Sequence, residues 1–187
     1  MDIVLFGIQG SGKGTQAKKL AAEFDYSVFE TGAELRAIAA SGSELGDTVK
    51  SYIDRGALAP HEIVLSVVKT AILRRPPEQV ILFDGIPRDW QQMEDFDAIM
   101  REVGREFRGV QLTVDEARAV ERILGRAKEQ GRADDASEEA IRKRMGIFKE
   151  KTLPVVKEYR GRGLIVDVDG EGTVDEVYGR LKAAIGR

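Results

Sequence analysis

The 187 residues suit one compact domain with room for small insertions rather than a second full core. With 42% hydrophobic and 33% charged residues the composition is that of an ordinary globular protein, and a formal charge of -3 disfavours general nucleic-acid binding while leaving small anionic ligands open. The sequence has no cysteine and a single histidine, His61, which excludes disulfides, thiolate metal sites and histidine clusters, and with them a structural zinc.

The chain opens with an apolar burst at residues 3–6, read as a buried strand. It lacks a basic flank and is far too short for a signal peptide or membrane span, and no later apolar stretch approaches the roughly 18 residues that a span needs. A cytoplasmic location without membrane partners is therefore expected. The stretch GIQGSGKGT at 7–15 follows the burst directly and opens a helix over 16–24. A weaker strand signal lies at 26–29.

Residues 60–73 carry Ile63, Val64, Val67, Val68, Ala71 and Ile72 at helical spacing, behind Pro60 and with Glu62 in the first turn. Pro76 and Pro77 end that helix and turn the chain toward a strand at 80–83. Another strand is predicted at 110–114. Residues 138–153 form a helix on Ile141, Met145, Phe148 and Leu153, with Ser137 as N-cap. A strand at 164–168 follows, and a last helix starts near Thr173 and carries Val174, Val177, Leu181 and Ile185. Most strand-length bursts are continuous rather than alternating, which suits strands buried on both faces of a parallel sheet. Strands alternating with helices give an α/β fold with right-handed crossovers, whose ligands bind at the carboxyl ends of the strands.

The glycine loop falls at such an end. Gly7, Gly10, Gly12 and Gly14 let the backbone bring its N–H groups onto phosphate oxygens, and the following helix adds partial positive charge there. Gly10, Ser11, Gly12, Lys13, Gly14 and Thr15 are thus the triphosphate-binding candidates, with Lys13 supplying a full charge for the β- and γ-phosphates. In the general Walker pattern a hydroxyl follows the lysine; here Gly14 intervenes and the hydroxyl comes at Thr15. A glycine-rich turn without a ligand is the alternative, and the agreement of strand, loop and helix speaks against it.

Three further motifs resemble those of the adenylate kinase family. TGAELR at 31–36 resembles its TG-x-x-x-R element, and DGIPR at 84–88 resembles DG-F-P-R, with Gln92 four residues on. GRADD at 131–135 and EEAIRKR at 138–144 resemble the end of its lid and the next helix. The resemblance covers essentially the whole chain. It implies a P-loop NTPase fold in a single domain: a five-stranded parallel sheet flanked by helices, with core 1–29, 60–125 and 136–187. A helical NMP-binding insert would occupy 30–59 and a short lid 126–135. Only Ala127 to Gly131 separate Arg126 from Arg132, which resembles the short-lid form that needs no zinc.

Phosphoryl transfer between two polyanions needs cations on both nucleotides, and arginine binds phosphate oxygens in pairs through its planar fork. By resemblance, Arg36 and Arg88 grip the monophosphate, and Arg126, Arg132 and Arg144 close over the transferring group. Arg122, Arg126 and Gly172 would lie at ATP. Asp84 would hold Mg²⁺ through its water shell, with Thr15 a second candidate. Lys13, Asp84 and the arginines 88, 126, 132 and 144 form the catalytic set, with no dedicated base.

The AMP site would comprise Thr31, Gly32, Arg36, Ala57, Leu58, Ala59, Gly85, Ile86, Pro87, Arg88, Gln92, Arg132 and Arg144. The reaction implied is MgATP plus AMP giving two ADP, by a monomer. Thr31 and Gln92 favour AMP, whereas uridylate and cytidylate kinases tend to carry alanine at the first position. A UMP or CMP kinase is the nearer alternative, and a non-catalytic nucleotide-binding protein the farther one.

The sequence departs from the family pattern at four places. Gln9 replaces a proline in the phosphate loop, Glu30 a small residue, Ala33 an aspartate and Ile86 a phenylalanine. None removes a cation the mechanism needs. His61 reads as a surface residue, and Trp90 as packing more than base stacking.

Overall fold

The structure, a computed structural model, describes the backbone of residues 1–130 and 138–187 and the side chains of 1–125 and 139–187. In chain order the elements are β1 (Asp2–Phe6), α1 (Lys13–Phe24), β2 (Ser27–Glu30), α2 (Thr31–Ala39), α3 (Glu44–Asp54), α4 (His61–Leu73), β3 (Ile81–Asp84) and α5 (Trp90–Glu102). Then come β4 (Phe107–Thr113), α6 (Glu116–Gln130), α7 (Glu138–Ile147), a π-helical turn (Phe148–Thr152), α8 (Leu153–Gly161), β5 (Ile165–Asp169) and α9 (Val174–Ala184). The five strands form one parallel sheet in the order β2-β3-β1-β4-β5. Among the described residues no helix is long and apolar enough to cross a membrane.

Every residue of β1 is buried, as expected for a central strand covered on both faces. Its side chains alternate between two cores. Val4 and Phe6 join Phe29, Phe83, Phe96 and Tyr159 beneath α4, α5 and α8, while Ile3 and Leu5 join Leu20, Leu82, Val110 and Leu181 beneath α1 and α9. Burying each such side chain contributes about 1.5–3 kcal/mol. A third cluster, Ala119, Ile123, Ile141 and Met145, clamps α6 to α7 on either side of the segment between them.

Asp2 opens β1 as a charged residue only 1% exposed. Arg105 meets it at 2.7 Å, and its Oδ1 accepts the Ile81 N–H at 2.9 Å. The pair ties the start of β1 to β3 and to the turn after α5. Hydrogen bonding to Asp2 raises the Arg105 pKa against the opposing effect of burial.

Helix α1 starts at Lys13, three residues before the expected position. Gly12, in the left-handed region at φ 97°, turns the chain so sharply that the helix begins with no intervening segment. Strand β4 starts earlier than expected because Gly109 lies within it. A Cβ there would meet Ile165 Cδ1 at 2.3 Å, so the glycine makes room for the Ile165 side chain to lie across the strand.

The helix expected over 138–153 instead continues to Gly161 across Pro154. The π turn explains this. The Leu153 N–H reaches back to Phe148 O, widening the coil where a proline ring would otherwise crowd the preceding carbonyls. Burial of Val155, Val156 and Tyr159 then holds α8 in place.

Candidate active site

Ladder register sets out the floor of the site. Leu5 and Glu30 both pair with Asp84, so the carboxyl ends of β1, β2 and β3 lie side by side. The glycine loop leaves β1, α2 leaves β2, and the DGIPR turn leaves β3. Three stretches far apart in sequence therefore converge on one edge.

The loop packs tightly against α6. Gly10 has φ 81°, and a Cβ on it would stand 2.3 Å from the Ala119 carbonyl oxygen, so no other residue fits without displacing that helix. Lys13, the first residue of α1, arches back and donates from Nζ to Gly7 O at 2.7 Å and Ile8 O at 3.1 Å. Its charge and the N-terminus of α1 thus act at one point.

Around the loop lies a polar cavity of about 640 Å³, lined by the expected triphosphate residues 10–15 together with Asp84, Arg122 and Gly172. Arg122 is moored by hydrogen bonds of 3.3 Å from both Nη atoms to Gly170 O. Asp84 faces α1, and a Cβ built on Gly14 would meet its Oδ2 at 3.7 Å. A hard carboxylate oxygen beside the phosphate loop, with Thr15 on the same wall, is a donor set that suits magnesium carried in by a nucleotide.

A second, mostly apolar cavity of about 140 Å³ lies over the DGIPR turn. It is lined by Gly32, Arg36, Ala57, Leu58, Ala59, Gly85, Ile86, Pro87, Arg88 and Arg144, all expected at the acceptor. The Ile86–Pro87 peptide is cis. Thr31 and Gln92, also expected at the acceptor, line neither cavity and are each only 2% exposed. Thr31 Oγ1 is buried without a hydrogen-bond partner, and Gln92 Oε1 accepts the Arg88 backbone N–H at 2.9 Å.

The two cavities meet at a seam. Lys13, Arg36, Arg88, Arg144, Gln9 and Gly32 line both of them. Arg88 is fixed by both its side chain and its backbone. Its Nε donates to Gly85 O at 2.8 Å, and its carbonyl accepts the Thr152 hydroxyl at 2.7 Å. Gly85, at φ 90°, leaves room for this, since a Cβ would lie 2.7 Å from Arg88 Nη2. Burial lowers the Arg88 pKa, Asp84 opposes the shift, and Arg144 and Arg36 add to it. The seam therefore concentrates positive charge at a cost in the native state, a cost that polyanionic ligands would relieve. Arg36 is held by Glu30, whose Oε1 lies 2.9 Å from its Nη2.

The Arg126 side chain, Arg132 and Ser137 lie outside the described residues, as do residues 131–135 of the expected lid. Thr152 has no motif to mark it and Phe148 reads only as an apolar helix residue, yet both line the acceptor cavity. Pro154 after an apolar helical run was the local hint of an irregular turn. That Gln9 reaches both cavities had no signal in the loop pattern.

The family model described as Adenylate kinase matches residues 5–164. A protein of Thermus thermophilus named adenylate kinase is 41% identical over 185 residues, spanning 98% of this chain and 96% of that protein. An adenylate kinase of Stenotrophomonas maltophilia is 41% identical over 186 residues, spanning 99% of both chains. One of Phocaeicola vulgatus is 36% identical, spanning 99% of this chain and 98% of its own.

Proposed function

The chain belongs to the adenylate kinase family, and from that premise we propose that its two cavities seat MgATP and AMP with their phosphates meeting at the cationic seam. The activity is that of an adenylate kinase, a reversible phosphotransferase that takes the terminal phosphate of MgATP to AMP and yields two ADP. The observation that carries the assignment of the two sites is the sharing of Lys13, Arg36, Arg88 and Arg144 by both cavities.

In this reading the glycine loop, Lys13 and Arg122 bind the donor in the polar cavity. Arg36 and Arg88 orient the AMP phosphate, and Arg144, with Arg126 and Arg132, covers the transferred group. Ala57, Leu58, Ala59 and Ile86 hold the base, with Thr31 and Gln92 selecting adenine. Asp84, helped by Thr15, receives the magnesium of the substrate, whose chemistry is to neutralise charge on the phosphates. An oxygen of the AMP phosphate forms the new bond to phosphorus as the bond to the β-phosphate oxygen breaks. The cations hold the two oxygens in line and offset the spread charge, so no side chain need take a proton.

Segment 30–59, which contains α2 and α3, acts as the mobile acceptor insert, and 126–135 as a short lid without zinc. Their closure excludes water, and reopening limits turnover. We place the enzyme in the cytoplasm as a monomer, with ATP, AMP and ADP as its partners and neither membrane nor nucleic acid among them.

A coupled assay offering AMP, UMP and CMP in turn with MgATP tests the reading. AMP should be turned over far faster than the others. Equal or faster transfer to UMP or CMP would overturn the adenine assignment.

A further inference from the structure

We propose that Gln9 is a further catalytic residue of this reaction, its side-chain amide donating a hydrogen bond to the phosphoryl group as it passes between the nucleotides. The inference rests on the reading that transfer takes place at the seam. Gln9 lines both cavities there, among Lys13, Arg36, Arg88 and Arg144. Its Oε1 is buried with no hydrogen-bond partner, and its side chain makes no hydrogen bond among the described residues. Leaving a buried amide oxygen unpaired costs about 1–3 kcal/mol. Such a group fits a site whose partner arrives with the substrate.

The chemistry of an amide suits the position. Oε1 is the buried half of the amide, which leaves Nε2, with its two N–H donors, as the half that faces an incoming anion. It also donates without adding charge. Arg88 is already disfavoured by Arg144 and Arg36, and a fifth cation would deepen that repulsion. A neutral donor adds a bond to the transferring group at no such cost. The P–O bond to AMP forms, the bond to the ADP oxygen breaks and its electron pair leaves with ADP. Gln9 bonds a non-bridging oxygen throughout and yields no proton.

The test uses the full chain and two variants that keep size but lack the donor, Gln9→Leu and Gln9→Met. Single-turnover and steady-state rates are measured with ATP and AMP varied separately, alongside thermal melting. Loss of one hydrogen bond to a charged group should slow single-turnover transfer by about 10–100-fold in both variants, with either KM changed less than about threefold. Melting temperatures should equal or exceed that of the parent, since an unpaired polar group is removed. A merely structural residue would instead lower the melting temperature and raise KM. Transfer within about twofold of the parent in both variants, or a loss confined to KM, overturns the proposal while the two-cavity reading stands. A parent that transfers phosphate to no acceptor overturns both.

Discussion

Replacing Arg88 by methionine separates function from stability at the most crowded point of the seam. The guanidinium lies against Gly85 O at 2.8 Å, with Arg36 and Arg144 as its cationic neighbours. Its fork can offer a phosphate two charge-assisted hydrogen bonds, each worth about 1.5–3 kcal/mol. Losing both should cost about 3–6 kcal/mol, or roughly 10²–10⁴ in kcat/KM for the monophosphate.

The effect on stability runs the other way. Burial, with Arg144 and Arg36, disfavours the charged form in the native state, and Asp84 only partly offsets this. Methionine of similar length removes that penalty and forfeits one charge-assisted bond to Gly85 O worth about 1.5–3 kcal/mol, so the two effects oppose each other. The melting temperature should therefore stay within about 5 °C of the parent. The coupled assay with AMP, calorimetric titration of ATP and scanning calorimetry give the three numbers. ATP affinity lost as severely as AMP affinity would refute the acceptor role. A fall in melting temperature beyond about 10 °C would refute the electrostatic account.

Three other perturbations bear on separate parts of the molecule. Lys13→Ala should reduce kcat by about 10²–10³, as loss of a preorganised charge does, and near-normal turnover would remove its assigned role. Glu30→Gln releases Arg36 from its carboxylate and should lower KM for AMP by up to about fivefold, the worth of a partly exposed ion pair, with KM for ATP unchanged; a higher KM for AMP would mean that Glu30 positions Arg36 rather than competing for it. Asp2→Ala takes the counter-charge from Arg105, which keeps only the carbonyls of Pro76, Pro77 and Gln79, and leaves the Ile81 N–H without its acceptor, so chemical denaturation should show a loss of about 3–5 kcal/mol with little change in KM. A loss below about 1 kcal/mol would mean that the buried pair is replaceable by solvent.

The glycine loop proposed to hold the triphosphate was legible in the sequence because its parts are local. Strand, glycine loop and helix are contiguous, and backbone N–H groups with one lysine supply most of the binding. The sheet class was legible for a similar reason: residues 3–6 and 80–83 are apolar without alternation, the mark of strands covered on both faces. The start of the last helix was readable too, and the structure places Thr173 there as its N-cap, bonded reciprocally with Glu176.

Other features depend on partners distant in the chain, and no local pattern encodes those. Asp2 looks like an ordinary first polar residue until the fold brings Arg105 to it. Pro154 reads as a helix stop because the local rule omits the burial of Val155, Val156 and Tyr159, which holds the helix together across a π turn. The arginines at 36, 88 and 144 could be named from their motifs. That they share one seam with Lys13, and that Gln9 stands among them, was decided by strand register and helix packing. Residue types and short-range spacing are written along the chain, whereas charge density at a point is a property of the folded arrangement.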